Sequence, residues 1–483
     1  MKTRSLFSAI VLAAWILGFV IAPAFGQRIN KQRLVVLSDI EADPDDTQSL
    51  IRLLLYSNEI DIEGLIATTS IHQQSGVYPK SISSAVQAYG QVQPNLLKHA
   101  PGYPTSGNLL KLIKSGQGSY GMASVGEGKD TEGSNWVIQA LEKQDNRPLW
   151  VSVWGGANTL AQALWKLKNS KTDSQLNELI KKLRVYAISD QDNSGNWIRS
   201  NFPSLFFIVT PGGYGKATWT GINSYIKGID NQTISNKWLA ENIQRDHGPL
   251  GLLYPDVAYG MEGDTPSWLS LIPNGLNNPE HPDWGGWGGR YEFYKPRLSD
   301  LDEKGFTGGV PVVAETGPIW TNASDSYSPI VSRDYGRAVT FDTTTFKDNK
   351  VTLWRWRDDF QNDFAGRMDW TVKDYKNANH PPLPALAHAD TIRIKSGSYF
   401  VLDATGTSDP DGDHLSFLWF QYQEAGSYKD RITFAQAENL YRLSAKAPEV
   451  STTETAHFIL RVTDKGNPAL TRYRRVIVYI SPK

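Results

Sequence analysis

Residues 34 to 56 read LVVLSDIEADPDDTQSLIRLLLY, and this stretch decides the expected fold. Its first four residues, Leu34 to Leu37, form a continuous apolar run of the kind found in strands that are buried on both faces of a sheet. The leucine-rich segment from Thr47 to Tyr56 has the length and residue preferences of a helix. The acidic residues between the two therefore lie on a strand-to-helix turn, where open α/β sheets place their active sites.

Five carboxylates fall within the eight residues of this turn: Asp39, Glu41, Asp43, Asp45 and Asp46. Such a cluster repels itself unless something compensates its charge, and hard divalent cations, calcium above all, prefer oxygen ligands of this kind. Zinc is not expected, because the segment offers neither thiols nor paired histidines. The alternative is that Asp45 and Asp46 only cap the helix and favour its positive end, which explains two acids better than five. We therefore predict a metal-centred acidic pocket.

Several segments of the chain resemble known families. The turn, followed by Gly64 to Ser70 (GLIATTS), resembles the amino-terminal signature of nucleoside hydrolases, whose Asp-x-Asp-Pro-Gly-x-Asp-Asp loop holds calcium. Together with Met261 to Ser267 (MEGDTPS) and Trp284 to Tyr291 (WGGWGGRY), it resembles more closely the secreted nucleoside-hydrolase-like family of Sde182-type cellulose-binding proteins. The similarity spans most of the chain.

The resemblance implies a set of calcium ligands. They are the side chains of Asp39, Asp46 and Asp264 and the main-chain carbonyl of Trp154, which stands just before a pair of glycines. A carboxylate at position 41 or 43 is a further candidate. Calcium is thus the expected cofactor.

The resemblance also implies a catalytic base and a sugar contact. Aligning the Asp45-Asp46 pair without gaps puts Glu41 where nucleoside hydrolases have their basic aspartate. The secreted family, however, carries its acid at the position of Asp43, so Glu41 and Asp43 both remain candidates. Asp45 is expected to contact a sugar hydroxyl, as its counterpart does in the nucleoside enzymes.

Other candidate substrate contacts come from loops after later strands. Asn158 follows the glycine pair, with helix capping as the alternative. Asn196 and Trp197 follow the Asx-rich loop that begins at Ser189, with a plain turn as the alternative. Glu262 precedes Gly263, which stands where nucleoside hydrolases carry a histidine that helps a purine-like leaving group depart.

Trp284 and Trp287 lie on a glycine-rich loop and offer two indoles on which a sugar ring could stack. Burial of both indoles, to fix an irregular loop, is the alternative. The chain has 16 tryptophans in 483 residues, which permits a carbohydrate-binding role without establishing one.

Charge and cysteine content narrow the function classes. The formal net charge is −1 and no long basic run occurs, so a nucleic-acid partner is not expected. Cysteine is absent, which excludes disulfides and thiolate metal sites.

Residues 1–26 resemble an export signal. Lys2 and Arg4 precede an apolar segment from Leu6 to Ile21, and small residues at 24 and 26 suit cleavage before Gln27. A retained membrane anchor is the alternative, because the apolar run is nearly long enough to span a bilayer. We expect cleavage, no membrane association afterwards, and a periplasmic or secreted protein.

The remaining sequence predicts two folded units. Alternating strands and helices from residue 33 to about 245 predict an α/β fold with a doubly wound, mainly parallel sheet, in a domain spanning 27–376. A proline-rich linker at 377–387 precedes a small all-β sandwich at 388–483, which resembles immunoglobulin-like modules of the PKD and cadherin type. Its Asp409, Asp411 and Asp413 could bind a second calcium, but Asp-Pro-Asp-Gly makes a good turn without any ion.

Three functions remain open. The first is a secreted calcium-dependent glycoside hydrolase that cleaves a plant or algal cell-wall glycan by water attack. The second is a non-catalytic protein that binds cellulose or another polysaccharide on a hydrolase fold. The third, a periplasmic nucleoside hydrolase, is disfavoured by Gly263.

Overall fold

The structure is a computed structural model that describes residues 31–483 except 217, 302–303, 330–331, 335–338, 342–343 and 435–438, and it omits the side chains of 332–334 and 339–341. Residues 31–483 form one compact unit. The predicted export signal at 1–26 lies outside the described residues. No helix in the described part of the chain is both long and apolar enough to cross a membrane.

The main sheet has eight strands: β1 (Gln32–Ser38), β2 (Ile60–Ala67), β3 (Ile113–Ser115), β4 (Leu149–Val153), β5 (Leu183–Ala187), β6 (Phe206–Val209), β7 (Tyr291–Tyr294) and β8 (Ile319–Asn322). Their spatial order is β3-β2-β1-β4-β5-β6-β8-β7, and every pairing is parallel except β7 with β8. The prediction of a doubly wound, mainly parallel sheet is thus confirmed.

Both faces of this sheet are covered, as the apolar run in β1 requires. Leu34 and Val36 point into one hydrophobic core, whereas Val35 and Leu37 point into another on the opposite face. All four side chains are buried. Because the side chains on both faces of β1 enter a hydrophobic core, each position from Leu34 to Leu37 is apolar, and the strand reads as an unbroken apolar run.

The helices are α1 (Asp45–Leu55), α2 (Pro79–His99), α3 (Ser106–Leu110), α4 (Glu132–Glu142), α5 (Asn158–Ser170), α6 (Asp173–Lys182), α7 (Ser194–Asn201), α8 (Trp219–Asn223), α9 (Asn236–Leu239), α10 (Gly248–Leu253), α11 (Pro266–Leu269), α12 (Val351–Trp354) and α13 (Arg357–Asp369). Capping boxes at Thr131 and Thr172 begin α4 and α6. Helix α1 has no side-chain cap at its N-cap residue, Pro44, although Asp45 and Asp46 occupy its first turn.

Two small hairpin-like pairs follow β8. They are β9 (Asp325–Tyr327) with β12 (Phe346–Asp348), and β10 (Ser332–Asp334) with β11 (Val339–Phe341).

The C-terminal module has two sheets: β13 (Thr391–Lys395), β15 (Leu415–Gln421), β17 (Glu454–Asp464) and β18 (Thr471–Ser481) form one, and β14 (Tyr399–Asp403) and β16 (Arg442–Lys446) form the other. Residues of both sheets, including Leu402, Trp419 and Phe458, share one buried core. The predicted all-β module is confirmed. Pairing in it is antiparallel except between β13 and β18.

The predicted linker at 377–387 is partly packed against the rest of the protein. The Asn379 amide donates to Asp464 at 2.9 Å, and the buried His380 ring stacks on Tyr375 with 3.8 Å between ring centroids.

Candidate functional site

A cavity of about 530 Å³ opens at the carboxyl edge of the main sheet. The residues that line it follow β1, β2, β4 and β5, with others from the loops around positions 214, 259, 264 and 306. Strand β1 lies between β2 and β4, so the chain leaves β1 towards one side of the sheet and returns on the other. The cavity therefore occupies the switch point of the sheet, where doubly wound folds bind ligands.

Five aspartates from two distant segments line the cavity: Asp39, Asp43, Asp45, Asp46 and Asp264. All except the half-buried Asp43 are buried. The sequence predicts that these two segments meet, and in the structure both of them line the cavity. Their joint position in one wall concentrates negative charge in a pocket that holds no lysine or arginine among its described lining residues.

The electrostatic state of these acids is unfavourable without a cation. Burial first, and then the charges of Asp45, Asp46 and Asp39, raises the pKa of Asp264 well above its ordinary value. The pKa of Asp45 and that of Asp46 are raised well above the ordinary value in the same way, by burial and by neighbouring carboxylates. Asp264 Oδ2 is buried and has no hydrogen-bond partner among the described residues. An all-oxygen, electron-rich set with an unpartnered oxygen fits a hard divalent cation such as calcium.

The acidic loop begins with a tight turn that orients its carboxylates. The Ala42 N–H donates to the Asp39 carbonyl at 2.9 Å, and Glu41 has a positive φ of 84° at the third position of this turn. Glutamate in this left-handed region is strained, and such strain is typical of functional loops. The Glu41 side chain is exposed and does not line the cavity. The structure thus corrects the prediction for Glu41 and leaves Asp43 as the base candidate in the pocket.

Asp43, Asp45 and Asp46 are held by specific hydrogen bonds. Asp43 Oδ1 accepts from the Asp45 N–H at 2.9 Å, which ties the loop to the first turn of α1. Asp45 Oδ2 accepts from the indole N–H of Trp219 at 2.7 Å. Asp46 Oδ1 accepts from the Ser38 hydroxyl at the end of β1. These bonds each fix one carboxylate oxygen.

The glycine pair after β4 lets the main chain approach two acids. A Cβ atom at Gly155 would lie 2.6 Å from Asp39 Oδ1, and one at Gly156 would lie 2.5 Å from Asp192 Oδ2. The glycines therefore serve close packing on the acids and not only chain reversal. The carbonyl of Trp154, predicted as a metal ligand, accepts from the Gln191 amide at the cavity wall, and a carbonyl oxygen has a second lone pair to offer.

Asp264 is positioned by the buried residue two places before it. Glu262 forms an ion pair with Arg52 at 2.7 Å and accepts from the Tyr254 hydroxyl at 2.7 Å. The Glu262 N–H donates to the side chain of Gln48 in α1 at 2.9 Å. Because Glu262 is fully buried and outside the cavity lining, the prediction that it contacts substrate is corrected to a structural role.

Gly263 has a packing role that its sequence position does not reveal. A Cβ atom there would lie 1.8 Å from Trp219 Nε1 and 2.6 Å from Asp45 Oδ2. The Trp219 indole thus fills the space beside Gly263 and reaches Asp45. Any larger residue at 263 would displace this indole.

The other predicted substrate contacts lie away from the cavity lining. Asn158 is buried, and its amide and carbonyl groups bond to Thr68, Thr69 and the Ser119 carbonyl, so it has a structural role. Asn196 and Trp197 lie in α7, and Trp197 packs on the core and on Phe202. These predictions are corrected because the chain after Asp192 turns into a helix instead of extending along the pocket.

The two tryptophans predicted as a stacking surface are also used internally. Trp287 is fully buried and donates to the Tyr473 hydroxyl at 3.3 Å. Trp284 is partly buried, stacked on His281 and edge-on to His457 of β17. The alternative interpretation, that these indoles fix an irregular loop, is therefore the correct one.

Sequence reasoning missed a group of aromatic side chains in the same cavity as the acids, here called the aromatic wall. It consists of His72, Tyr214, Trp219, Tyr259 and Phe306, all of which line the cavity. The His72 and Tyr214 side chains share a hydrogen bond of 2.9 Å, and Tyr214 meets Phe306 edge to face at 5.4 Å. Tyr259 and Phe306 are 80% and 69% exposed, respectively, so they form the rim. Of these residues only His72 can be singled out from the sequence, because it stands on the loop after the second buried strand and a histidine there can donate a proton or contact a sugar.

Comparison with known proteins identifies the relatives of this chain. A family model described as cellulose-binding Sde182, nucleoside hydrolase-like domain, matches residues 33–291. The chain belongs to this family. A second model, the C-terminal domain of cellulose-binding protein Sde0182, matches residues 399–480.

A solved structure supports this family membership. The chain is 35% identical, with a TM-score of 0.76, to a nucleoside hydrolase-related hypothetical protein from Saccharophagus degradans that is described as associated with carbohydrate metabolism. The match covers 93% of this chain and 100% of that one. The type III effector protein XopQ, solved with adenosine diphosphate ribose, matches at 10% identity and a TM-score of 0.33 over 60% of this chain and 88% of its own. A search of curated proteins gives no match.

Proposed function

We propose that this Sde182-family protein is a calcium-dependent glycoside hydrolase that cleaves a glycosidic bond in a plant or algal cell-wall glycan. The observation that carries the proposal is the buried set of aspartates with an unpartnered Asp264 oxygen at the switch point of the sheet. The family description and the relative's association with carbohydrate metabolism support a carbohydrate ligand.

The residues that would hold calcium are Asp39, Asp46 and Asp264, with the carbonyl of Trp154. When bound, the ion would neutralise the acids and supply a Lewis-acidic site for adjacent sugar hydroxyls. The rest of the proposed chemistry belongs to side chains of this protein.

Asp43 is the residue to which we assign the general-base role. It lines the cavity, it is half-buried, and its Oδ1 is fixed by the Asp45 N–H, which orients the second oxygen. That oxygen would take the proton of an attacking water as the bond between the sugar carbon and the leaving oxygen breaks, and the leaving oxygen would take a proton from solvent water. Direct attack by water predicts inversion of configuration.

Asp45 is assigned to substrate binding. Its Oδ2 is engaged by Trp219, so its other oxygen is the one that a sugar hydroxyl would reach. The aromatic wall would pack on the apolar face of the sugar ring, as aromatic side chains do in sugar sites.

A non-catalytic glycan-binding role is the second candidate. It is favoured by the cellulose-binding description of the family. Nucleoside hydrolysis is less well supported, because the Trp219 indole occupies the space beside Gly263 where a leaving-group histidine would extend.

The test is a screen for sugar release by the full chain from cello-, xylo- and arabino-oligosaccharides, with calcium and with EDTA. We expect release that EDTA abolishes and calcium restores. Asp43→Asn should lower turnover by about 10²- to 10⁴-fold, the usual contribution of general-base catalysis, whereas Glu41→Gln, its exposed neighbour, should stay near wild type.

Three results would each contradict a part of this proposal. Retention on insoluble cellulose without any sugar release would favour the binding role. Turnover that Asp43→Asn leaves intact would remove Asp43 from the mechanism. Release of free base from inosine or uridine would instead support the nucleoside alternative.

A further inference from the structure

A second group of carboxylates lies in the C-terminal module, outside the pocket described above. Asp409, Asp411 and Asp413 each have a carboxylate oxygen near those of the other two, and these three oxygens lie within 4.8 Å of one another. Their spacing in sequence, every second residue, is that of the first three ligands of an EF-hand loop. A turn alone would also explain this local cluster, so the assignment depends on what lies beside it.

The decisive neighbour is Asp464, at the end of β17. Its side chain is fully buried, and its Oδ1 accepts from the N–H groups of Gly466 and Leu470 at 3.0 and 2.9 Å. Its Oδ2 is also buried but has no hydrogen-bond partner among the described residues. A buried carboxylate oxygen without a partner is unfavourable unless something absent from the protein chain satisfies it.

Asp464 lies beside the aspartate cluster. The Asn379 amide donates to Asp464 Oδ1 at 2.9 Å, and the N–H of the next residue, His380, donates to Asp411 Oδ2 at 2.7 Å. The two acids are therefore bridged by two consecutive residues. Burial first, and with it the charge of Asp409, raises the pKa of Asp464, which also indicates proximity.

Asp409 shows the same half-satisfied state as Asp464. Its Oδ1 accepts from the N–H groups of Asp411 and Asp413 at 2.9 and 3.1 Å. Its Oδ2 is buried and unpartnered among the described residues. Neither Asp409, Asp413 nor Asp464 forms an ion pair with a lysine, arginine or histidine in the part of the chain that the structure describes.

We propose that Asp409, Asp413 and Asp464, with Asp411, form a second calcium site, which ties the turn at 409–413 to the end of β17. All of its donors are carboxylate oxygens, and this composition suits calcium better than a transition metal. Asp411 also pairs with His380 at 3.0 Å, and His380 stacks on Tyr375. The ion would thus stiffen the junction between the C-terminal module and the segment that leads into it.

The test is isothermal titration of calcium into the full chain after EDTA treatment and dialysis. The chain would carry Asp46→Asn and Asp264→Asn, so that the pocket cannot contribute and the outcome does not depend on the proposed function. We expect one calcium per chain. Adding Asp413→Asn should weaken this binding by at least tenfold, and adding Asp409→Asn should do the same.

Asp430→Asn is the matched control, because Asp430 is an exposed aspartate of the same module outside the cluster. It should leave binding unchanged. Circular dichroism would establish that each variant is folded. Asp413→Asn should leave the turn intact, because in the described part of the chain the Asp413 side chain forms none of the hydrogen bonds that shape it. Absence of calcium binding in the pocket-disabled chain, or binding that survives both Asp413→Asn and Asp409→Asn, would overturn the proposal.

Discussion

Two regions of the protein that bury aspartates treat their charge in opposite ways. One is the acidic pocket. The other is the contact of α13 with the C-terminal strands, here called the arginine seam and defined by Asp359, Asp363, Arg461 and Arg472. In the seam each aspartate meets an arginine and a tyrosine hydroxyl, whereas in the pocket the aspartates mostly meet one another.

The pKa values follow this difference. Burial acts to raise the pKa of Asp363, but the charges of Arg472 and Arg367 outweigh it and leave that pKa below its ordinary value. Among the described lining residues of the pocket no arginine opposes burial, and the pKa of Asp264 rises. Burial alone therefore does not mark a functional acid, whereas burial without a compensating partner does.

The largest expected effect is in the seam. Asp363→Ala would leave Arg472 and Arg367 without their shared carboxylate and would free the Tyr56 hydroxyl that donates to it at 2.6 Å. Because breaking a buried ion pair strands the partner charge, we expect a loss of about 3–5 kcal/mol in the free energy of unfolding. Urea denaturation would measure it.

Asp374→Ala is the matched control for that experiment, since Asp374 pairs with Lys98 on the surface. Its unfolding midpoint should match wild type. A seam variant as stable as this control would show that the seam does not differ from an exposed ion pair.

Calcium should have the next largest effect, and it should act on the pocket. In an Asp413→Asn chain, which disables the C-terminal cluster, calcium at one hundred times its dissociation constant should stabilise the protein by about 2.7 kcal/mol. Differential scanning calorimetry with calcium, magnesium and EDTA would measure the shift. A melting temperature unaffected by calcium in this chain would contradict a pocket that needs a cation.

Most substitutions of a buried residue destabilise a protein, but Asp264→Asn should stabilise this one when no cation is bound. In EDTA it should stabilise the chain by about 1–2 kcal/mol, because it removes a desolvated charge that repels its neighbours. With calcium present the same variant should be less stable than wild type, because it lacks a ligand. Urea denaturation under both conditions gives the comparison, and destabilisation in EDTA would indicate that Asp264 is paired as the seam aspartates are.

A smaller effect is expected at His457, which is buried in β17 beside Arg475. Burial and then the Arg475 charge lower the pKa of His457 to about 3. The unfolded chain binds a proton near pH 6.5 and the folded chain does not, so stability is lost as the pH falls below 6.5. Between pH 6.5 and 5, wild type should lose about 1.5 kcal/mol more than His457→Gln. Urea titrations at the two pH values would detect this difference, and parallel losses would refute it.

The sequence predicted the fold and the acidic half of the pocket for the same physical reason. A strand buried on both faces leaves an unbroken apolar run such as Leu34 to Leu37, and the acids follow it directly in the chain. Asp264 was also predicted, although it lies more than two hundred residues away, because its motif resembles that of the family.

The other half of the pocket could not be predicted because tertiary packing determines it. Trp219 reaches Asp45 only because Gly263 leaves space for its indole. The sequence allows Trp287 to serve either as a stacking surface or as a core residue, and only its tertiary neighbours, which bury it fully, decide between the two. Residue spacing likewise could not show that Glu41 adopts a positive φ and turns away from the cavity.

The central claim is that the pocket aspartates bind a divalent cation, and anomalous X-ray diffraction from calcium-soaked crystals tests it most directly. We expect a peak at about 2.3–2.6 Å from carboxylate oxygens of both Asp46 and Asp264, the distance at which oxygen binds calcium. A pocket without such a peak at saturating calcium, or with a lysine or arginine folded into it as a partner for these acids, would contradict the account.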